Sequence, residues 1–338
     1  MPETANGGPR VAVLGASGYA GAIAAMLLHR HPWFDLAHVT ARSEAGMRLD
    51  DLHPRTRVPM ALEPWDPDVQ GDVDAALVCW PHGAAAPAVA ALRERGVRVV
   101  DLSADFRLRD RAVYDDWYGR HGAPELFGEA VYGLPELYRE AVAGADLVAN
   151  PGCYPTAALL GLAPLARAGA IADVVIDAKS GVSGAGRAPT ATTHFISADE
   201  NMTPYKVERH RHTPEIEQEL AVLGASLPVT FTPHLVPLAQ GELVSCYVTP
   251  GLELGEGELG DLYREAYEGE PWVEVALGPP GVIEVRDTNY CRISVHRDDR
   301  TGRVLVFSAI DNLWKGAASQ AVQNLNLMFG RDESEGLR

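Results

Sequence analysis

One cysteine of this chain stands in a setting that favours nucleophilic chemistry. Cys153 lies in the motif N-P-G-C-Y-P-T (150–156), between an apolar, strand-like segment (146–149) and an Ala/Leu-rich run with helical spacing (157–168). Pro155 suits a first helical turn, where its missing N–H costs nothing. The partial positive charge at a helix N-terminus favours the thiolate, so we expect the cysteine pKa to fall below its free value of about 8.5. A cysteine that only packs is the alternative, but the tight turn favours a nucleophile.

A second group of titratable side chains follows in H-R-H-T-P-E-I (210–216). Thr213 is a good N-cap and Pro214 a good first helical residue, so His212 should stand just before a helix that carries Glu215 in its first turn. A histidine close to carboxylates can be oriented by them and can exchange a proton near neutral pH. A surface histidine pair is the alternative; an activated cysteine elsewhere favours the acid–base interpretation. No further ligand stands at a suitable spacing, so no metal site is predicted.

A glycine-rich turn near the start of the chain indicates a dinucleotide cofactor. The motif G-A-S-G-Y-A-G (15–21) follows an apolar strand (11–14) and opens a helix-like run (22–29). Glycines let the backbone approach a pyrophosphate, and a helix N-terminus supplies N–H groups to it. A plain glycine-rich turn is the alternative, but the strand–turn–helix context favours cofactor binding.

The end of the next strand (36–40) selects the cofactor. An NAD site usually has an acidic residue here to bind the ribose 2′-hydroxyl. This chain has Ala41, Arg42 and Ser43 instead. An arginine and a hydroxyl suit a 2′-phosphate, so the sequence predicts NADP(H); an exposed loop arginine is the alternative.

Two later segments could bind phosphate or carboxylate groups. Arg107 follows a strand and could form a bidentate clamp, although surface pairing with Asp105 or Asp110 fits the spacing equally. The Gly/Ser-rich loop 179–187 could contact a phosphate through its backbone, with a flexible turn as the alternative.

The elements around these residues predict a two-domain α/β protein. Strand-like segments at 75–79 and 97–102 alternate with helical patterns, which indicates parallel βαβ units. After the cysteine, six segments read as strands and come largely without helices between them: 174–178, 227–232, 244–249, 283–285, 291–295 and 304–309. That pattern predicts a mixed or antiparallel sheet.

We therefore predict a Rossmann-type NADP-binding domain over 1–150, completed by a C-terminal helix at 312–330, and an α+β catalytic and oligomerisation domain over 151–311. A large sheet often packs against its copy, which suggests a homodimer or homotetramer. The largely charged segment 331–338 is predicted to be a solvated tail.

The composition fits a cytoplasmic enzyme. Hydrophobic residues make up 46% and charged residues 22% of the 338 residues. A net charge of −17 disfavours nucleic acid and anionic membranes as partners. No apolar run approaches the length of about 18 residues that spans a bilayer, and residues 1–10 do not resemble a signal peptide. The four cysteines lie far apart, which favours reduced thiols.

Six motifs together carry a family resemblance: G-A-S-G-Y-A-G (15–21), D-L-S-A-D-F-R (101–107), N-P-G-C-Y-P-T (150–156), S-G-V-S-G-A-G-R (180–187), H-R-H-T-P-E-I (210–216) and D-N-L-W-K-G-A-A (311–318). Over residues 11–329 the sequence resembles the N-acetyl-gamma-glutamyl-phosphate reductases, relatives of the aspartate-semialdehyde dehydrogenases. This resemblance implies NADPH-dependent reduction of N-acetyl-L-glutamyl 5-phosphate to the 5-semialdehyde in arginine biosynthesis, with release of phosphate. Cys153 would form a thioester, and His212 would move the proton, supported by His210 and Glu215.

The resemblance also implies which residues bind the ligands. The cofactor would contact Gly15, Ser17, Gly18, Tyr19, Gly21, Arg42, Ser43, Ser183, Gly184 and Asn312. The substrate would contact Arg107, Asn150 and Ser180.

Two positions depart from the family pattern P-H-L-x-P-M-x-R-G-I. Gln240 replaces an arginine and Glu242 replaces an apolar residue. Both changes bear on substrate affinity and identity. Two alternatives therefore remain: a reductase of carrier-protein-linked aminoadipyl or glutamyl phosphate, and an NADP(H)-binding sensor on the same scaffold. Tyr154-Pro155 favours the free acetylated substrate, and Cys153 together with His212 favours an enzyme.

Overall fold

The computed structural model describes residues 7–337, and the chain divides into two compact units. Unit 1 comprises Met1–Pro151 and Ala317–Arg338, and unit 2 comprises Gly152–Gly316. Residues 1–6 and 338, which the predicted ranges 1–150 and 331–338 include, lie outside the described residues. No helix in residues 7–337 has the length and apolar character needed to cross a membrane.

Unit 1 is built on a six-stranded sheet in which every pairing is parallel. Its strands are β1 (Arg10–Leu14), β2 (Asp35–Thr40), β3 (Ala75–Val78), β4 (Arg98–Asp101), β5 (Val131–Tyr132) and β6 (Leu147–Ala149). They lie in the order β2-β1-β3-β4-β6-β5. Since β1 is followed in the chain by β2 on one side and later by β3 on the other, the sheet has its switch point at the carboxyl ends of β1 and β3. Open α/β sheets bind ligands there. The predicted Rossmann-type fold is confirmed.

Within residues 7–337, unit 1 has seven helices: α1 (Tyr19–His29), α2 (Leu49–Leu52), α3 (Pro67–Gln70), α4 (Ala86–Glu94), α5 (Arg111–Tyr118), α6 (Pro135–Ala143) and α11 (Ser319–Met328). A short 3-10 turn covers Pro124–Leu126. α11 packs against α1, α6 and β4. Arg98 Nη1 donates to the carbonyl of Met328 at 2.7 Å, which ties the end of α11 to the sheet.

The segment after α11 is not a solvated tail, so that prediction is wrong. Residues 331–337 fold back on unit 1. Arg139 Nε donates to Glu333 Oε1 at 3.0 Å, and His31 Nε2 lies 3.0 Å from the carbonyl oxygen of Glu335. Leu337 is 6% exposed. Glu333, one of the acidic residues that suggested a solvated segment, pairs with an arginine of unit 1. The backbone carbonyl of Glu335 lies against a polar side chain, that of His31.

Unit 2 contains a seven-stranded sheet that combines parallel and antiparallel pairs. The strands are β7 (Ile171–Gly181), β8 (Thr203–Pro204), β9 (Thr230–Val236), β10 (Glu242–Pro250), β11 (Val273–Val275), β12 (Cys291–Asp298) and β13 (Arg303–Ile310), in the order β11-β12-β13-β10-β7-β9-β8. The β7–β9 and β11–β12 pairs are parallel and the others antiparallel. The sheet is mixed, one of the two forms predicted.

The helices of unit 2 are α7 (Cys153–Arg167), α8 (Phe195–Ala198), α9 (Thr213–Val222) and α10 (Glu256–Ala266), with 3-10 turns at Val182–Ala185 and Val282–Glu284. A π-helical turn, Trp314–Ala318, leads into α11. The predicted strand at 283–285 is wrong, because the 3-10 turn occupies that stretch and leaves Ile283 76% exposed. α9 and α10 also interrupt a series of strands that was expected to run largely without helices.

α7 is the central helix of unit 2. It packs against β7, β10, β12 and β13 on one side and contacts α9 and α10. Every residue from Tyr154 to Ala166 is buried. Tyr263 from α10 donates its hydroxyl to the carbonyl of Gly161 at 2.6 Å. A helix that is apolar all round is typical of such a buried position.

Candidate active site

Cys153 is the first residue of α7, as predicted from the turn that precedes it. Gly152 is the N-cap of α7, and its backbone is extended, with φ −68° and ψ 155°. No side chain caps the start of α7. The Gly152 N–H donates to Glu215 Oε1 at 2.9 Å, and Glu215 is 1% exposed. A partly exposed thiol therefore stands at a helix N-terminus whose preceding turn is held by a buried carboxylate.

His212 lies against this turn. A Cβ built at Gly152 would come 2.5 Å from His212 Nε2, so the imidazole packs on the residue before the cysteine. His212 itself is the N-cap of α9, and its side chain makes no capping hydrogen bond. The prediction of Thr213 as N-cap is therefore wrong by one residue, because Thr213 is the first residue of the helix and Pro214 the second. The glycine at position 152 is required by the close approach of the imidazole.

His210 is buried and holds the backbone of His212. Its Nδ1 accepts the His212 N–H at 3.1 Å. Burial, together with Lys206 and Arg211, lowers the pKa of His210 to about 3, so the ring is neutral near neutral pH. The rings of Tyr154 and Tyr205 pack edge-on against it, with centroids at 5.6 Å and 5.4 Å.

Ser180, Ser183, Gly184 and Asn312 come together at the edge of unit 2 where β7 ends and β10 begins. Asn312 Nδ2 donates to Ser183 Oγ at 3.0 Å, and its Oδ1 accepts the Gly241 N–H at 2.7 Å. A Cβ on Gly184 would lie 3.2 Å from Ser180 Oγ. Residues far apart in sequence thus form one polar cluster.

Two residues near Cys153 were not predicted as site residues. Gly316 in the π-helical turn approaches Cys153 so closely that a Cβ there would lie 2.8 Å from Cys153 Cβ. Glu242 is fully buried, and the Cys153 and Ser180 side chains lie close to its carboxyl. The departure from the family pattern at position 242 was the sequence signal for it.

Gln240, the other departure from that pattern, has a structural role in unit 2. Its Nε2 donates to Asp311 Oδ2 at 2.7 Å and to Asp287 Oδ1 at 2.9 Å. Its carbonyl accepts from Arg286 Nη2 at 3.0 Å. The Gln240 amide therefore joins the loop before β10 to two acidic residues.

In unit 1 the glycine motif lies at the switch point of the sheet. Gly15 has a φ of +85°, and a Cβ there would come 2.8 Å from the Cys79 carbonyl oxygen. A Cβ at Gly21 would come 2.3 Å from the Gly15 carbonyl oxygen. α1 begins at Tyr19, and Gly18 at its N-cap places no side chain over the first N–H groups. Such a turn fits a pyrophosphate.

The side chains expected around the adenosine end also belong to unit 1. Arg42 and Ser43 follow β2 and are exposed, with the Arg42 guanidinium 5.9 Å from the centre of the Trp80 ring. His53 Nε2 lies 2.9 Å from the Ser17 carbonyl oxygen and fixes the glycine-rich turn. Tyr19 is 37% exposed beside it. This set fits a phosphorylated ribose at the end of β2.

Arg107 and Asn150 meet at the carboxyl ends of β4 and β6. Arg107 Nε donates to the Asn150 carbonyl at 2.8 Å, and its Nη2 donates to the Leu102 carbonyl at 2.8 Å. Arg107 is 8% exposed, so it lies in the interior and not on the surface, where one interpretation of the sequence had placed it. Asn150 Oδ1 accepts from Asn324 Nδ2 at 3.0 Å.

Two family models match the two halves of the chain. Residues 10–145 match "Semialdehyde dehydrogenase, NAD binding domain", and residues 153–312 match "Semialdehyde dehydrogenase, dimerisation domain". Among solved structures, aspartate semialdehyde dehydrogenase II from Vibrio cholerae is similar, with a TM-score of 0.73, 19% identity, and coverage of 96% of this chain and 98% of that chain. The Candida albicans enzyme with NADP has a TM-score of 0.71 at 15% identity, covering 95% and 98%. These structures show the fold.

Curated relatives are much closer in sequence. The N-acetyl-gamma-glutamyl-phosphate reductases of Desulforudis audaxviator and Halorhodospira halophila are each 50% identical, over 97% of this chain and 97% of each relative. That of Geobacillus stearothermophilus is 47% identical at the same coverage. Identity of this extent over nearly the whole chain confirms the resemblance seen in the motifs. The chain belongs to the N-acetyl-gamma-glutamyl-phosphate reductase family.

Proposed function

We propose that this chain reduces N-acetyl-L-glutamyl 5-phosphate to N-acetyl-L-glutamate 5-semialdehyde with NADPH and releases phosphate, a step of arginine biosynthesis. The observation that carries this proposal is Cys153 at the N-terminus of α7 with the His212 imidazole against the residue before it. Relatives that share about half of its residues bear the name of this reductase.

In the first step the Cys153 sulfur attacks the acyl-phosphate carbonyl, and the thiol proton passes to His212. The carbon–oxygen bond to phosphate then breaks, phosphate leaves with the electron pair, and a thioester remains on Cys153. His212 is assigned this proton because His210, with its pKa lowered to about 3, stays neutral and uses Nδ1 to hold the His212 N–H. Glu215 fixes the turn before the nucleophile through the Gly152 N–H.

In the second step NADPH, when bound, supplies the hydride that reduces the acyl carbon. The carbon–sulfur bond breaks and its electron pair returns to Cys153. His212 returns the proton, so the enzyme finishes with the thiol and imidazole with which it began.

The residues of unit 1 fit the cofactor. We assign the pyrophosphate to the turn formed by Gly15, Ser17, Gly18, Tyr19 and Gly21, because a side chain at Gly15 or Gly21 would collide with backbone. Arg42 and Ser43 are assigned to the 2′-phosphate. In unit 2 we assign Ser183, Gly184 and Asn312 to the cofactor.

Substrate contacts are assigned to Arg107, Asn150 and Ser180. Arg107 supplies positive charge at a strand end in unit 1, which an anionic substrate of an acidic protein requires. Ser180 lies in the polar cluster of unit 2 beside Glu242.

We further propose a homodimer or homotetramer that works in the cytoplasm, where thiols stay reduced. Side chains on β7 and β10 alternate between the face under α7 and the opposite face of the sheet. Val175 and Tyr247 lie on that opposite face and are partly exposed. A second copy that covers this face would bury them, in keeping with the name of the family model that matches unit 2.

The reverse reaction tests the proposed function. N-acetyl-L-glutamate 5-semialdehyde, NADP and phosphate are mixed with the parent protein, with Cys153→Ala and with Cys246→Ala, which removes a buried thiol of the same unit. We expect phosphate-dependent NADPH absorbance from the parent and from Cys246→Ala, and none from Cys153→Ala. A folded parent that binds NADPH but gives no signal would contradict the proposal and favour a carrier-linked substrate or a sensor.

A further inference from the structure

Glu242 places an acidic group in the apolar interior of unit 2. It is the first residue of β10 and is 0% exposed. Alternate residues of a strand share a face, and the others on its face are buried core: Val244, Cys246 and Val248. Glu242 pairs with Ser180 on β7 and with Ile310 on β13, so its side chain shares their face of the sheet. The carboxyl therefore lies beneath the start of α7.

This carboxyl is poorly satisfied by the protein. Neither oxygen makes a hydrogen bond of standard geometry to any residue between 7 and 337. Burial raises the pKa of Glu242 to about 8, and the nearby polar side chains of Cys153 and Ser180 oppose the rise. Burying a carboxyl without full hydrogen bonding costs stability. Stability of the fold therefore does not explain this residue.

The other groups that face Glu242 do not neutralise it. Asp311 repels its charged form. Burial raises the pKa of Tyr154 and of Tyr205, and the charge of Glu242 adds to both shifts, so both hydroxyls are neutral near neutral pH. The thiol of Cys153 is the reactive group among these neighbours.

We propose that Glu242 is a catalytic residue that controls the charge on the Cys153 sulfur. Its neutral carboxyl donates a hydrogen bond to the thiolate, and its ionisation suppresses the thiolate. The proposal rests on the proposed function in taking Cys153 as the nucleophile. When the carbon–sulfur bond breaks, the sulfur receives the electron pair while the carboxyl keeps its proton and donates the hydrogen bond. Glu242 is therefore unchanged over the cycle, and the transferred proton stays with His212.

Opposite effects on the thiolate follow from the two states of Glu242. A hydrogen bond to a charged sulfur is stronger than one to a neutral thiol. A carboxylate beside a thiolate places two negative charges in a poorly solvated space, which raises the pKa of the second group to ionise.

The test is the rate at which iodoacetamide alkylates Cys153 between pH 5.5 and 10, followed by peptide mass spectrometry. The parent is compared with Glu242→Gln, which donates a hydrogen bond but does not ionise, and with Glu242→Leu, which fills the space and does neither. Cys246 serves as an internal control for unfolding, because burial raises its pKa to about 12.

At pH 6 we expect Glu242→Gln to react at the parental rate within about twofold, and Glu242→Leu about tenfold more slowly, the equivalent of one pKa unit. At pH 9 we expect Glu242→Gln to react about tenfold faster than the parent, since the parent then carries the repelling carboxylate. Coincident curves for all three proteins, or equal shifts for both variants, would overturn the proposal. Glu242→Gln is nearly isosteric with the parent residue and should fold. If the leucine variant misfolds, the comparison of Glu242→Gln with the parent at pH 9 still tests the proposal.

Alkylation needs neither substrate nor NADPH, so this test separates the inference from the proposed function. A parent without reductase activity would still report the effect of Glu242 on the thiol. An active parent whose Cys153 alkylation ignores position 242 would refute only the role of Glu242.

Discussion

At the scale of single residues, the site depends on close approaches that leave no room for side chains. A Cβ on residue 152 would collide with the His212 imidazole. A Cβ on residue 316 would collide with Cys153 Cβ. Glycine at these positions therefore allows His212 and Cys153 to lie where they do.

Gly152→Ala should lower kcat by about a hundredfold, because it displaces His212 and a shift of about 1 Å can cost that much. Gly257→Ala is the matched control, since a Cβ there meets nothing within 4 Å. Steady-state kinetics of both variants, with circular dichroism to check folding, decide the matter. A normal kcat for Gly152→Ala would mean that the imidazole position is unimportant.

Arg42→Ala should raise KM for NADP by about tenfold and leave KM for NAD nearly unchanged, since NAD has no 2′-phosphate to lose a charged contact. Both constants are measured with the same protein preparation. Arg55→Ala, an exposed arginine of the same unit, is the control. Equal effects of Arg42→Ala on both cofactors would count against its assignment.

At the scale of elements, short sequence motifs predicted those turns and helices whose structure depends on residues close together in the chain. The strand–turn–helix around Cys153 and the β1–α1 turn follow from short motifs, and both are present. The proximity of Glu242 to Cys153 depends on the register of β10 against β7 and β13, which no local pattern contains. A shift of one residue would turn Glu242 to the opposite face. The 3-10 turn at Val282–Glu284 is too short for its apolar residues to be told from a strand.

The segment after α11 also shows why composition misled. Its charged residues suggested that the segment is exposed to solvent. The Glu333 carboxylate nevertheless accepts hydrogen bonds from Arg139 at 3.0 Å and from Gln323 at 2.8 Å. Arg139 lies 194 residues away from Glu333, too far for the pairing to be recognised from a local pattern.

Removing residues 331–338 should therefore destabilise the protein by about 2–3 kcal/mol, because several partly buried hydrogen bonds lose their partners at about 1 kcal/mol each. Urea unfolding followed by tryptophan fluorescence measures the change. Asp299→Ala, which removes an exposed surface pair, should leave the midpoint unchanged. An unaltered midpoint for the shortened chain would show that the segment contributes nothing.

At the scale of the whole molecule, buried acids make stability depend on pH. Glu242 has a pKa of about 8 in the folded protein against an ordinary value of 4.5, so the folded state keeps a proton that the unfolded state loses. Stability from this site is fully present below pH 4.5 and is lost as the pH rises to about 8. Asp101, with a pKa raised by burial to about 7, adds a loss of the same sign.

Between pH 5.5 and pH 8.5 the parent should lose about 2–4 °C more in Tm than Glu242→Gln, in which this ionisation is absent. Differential scanning calorimetry at both pH values gives the comparison. Because Asp101 is present in both proteins, its contribution to the loss of stability cancels in this comparison. Identical losses would mean that Glu242 does not hold its proton in the folded state.

The proposed assembly belongs to the same scale. Analytical ultracentrifugation at working concentration should show a dimer or tetramer, and Val175→Asp with Tyr247→Asp should shift it toward monomer by placing charges in a buried interface. Val222→Asp, an exposed apolar position on α9, is the matched control. A parent that sediments only as a monomer would remove the assembly proposal.

The division of the chain has a consequence for its synthesis on the ribosome. Unit 2 is one continuous stretch, whereas unit 1 needs both Met1–Pro151 and Ala317–Arg338. Domains fold as units during translation, so unit 2 can fold while the polypeptide is still growing, and unit 1 must wait for its last helix to be released. The nascent chain therefore carries Cys153 before the cofactor-binding unit is complete, and reductase activity should arise only after residues 317–338 have left the ribosome.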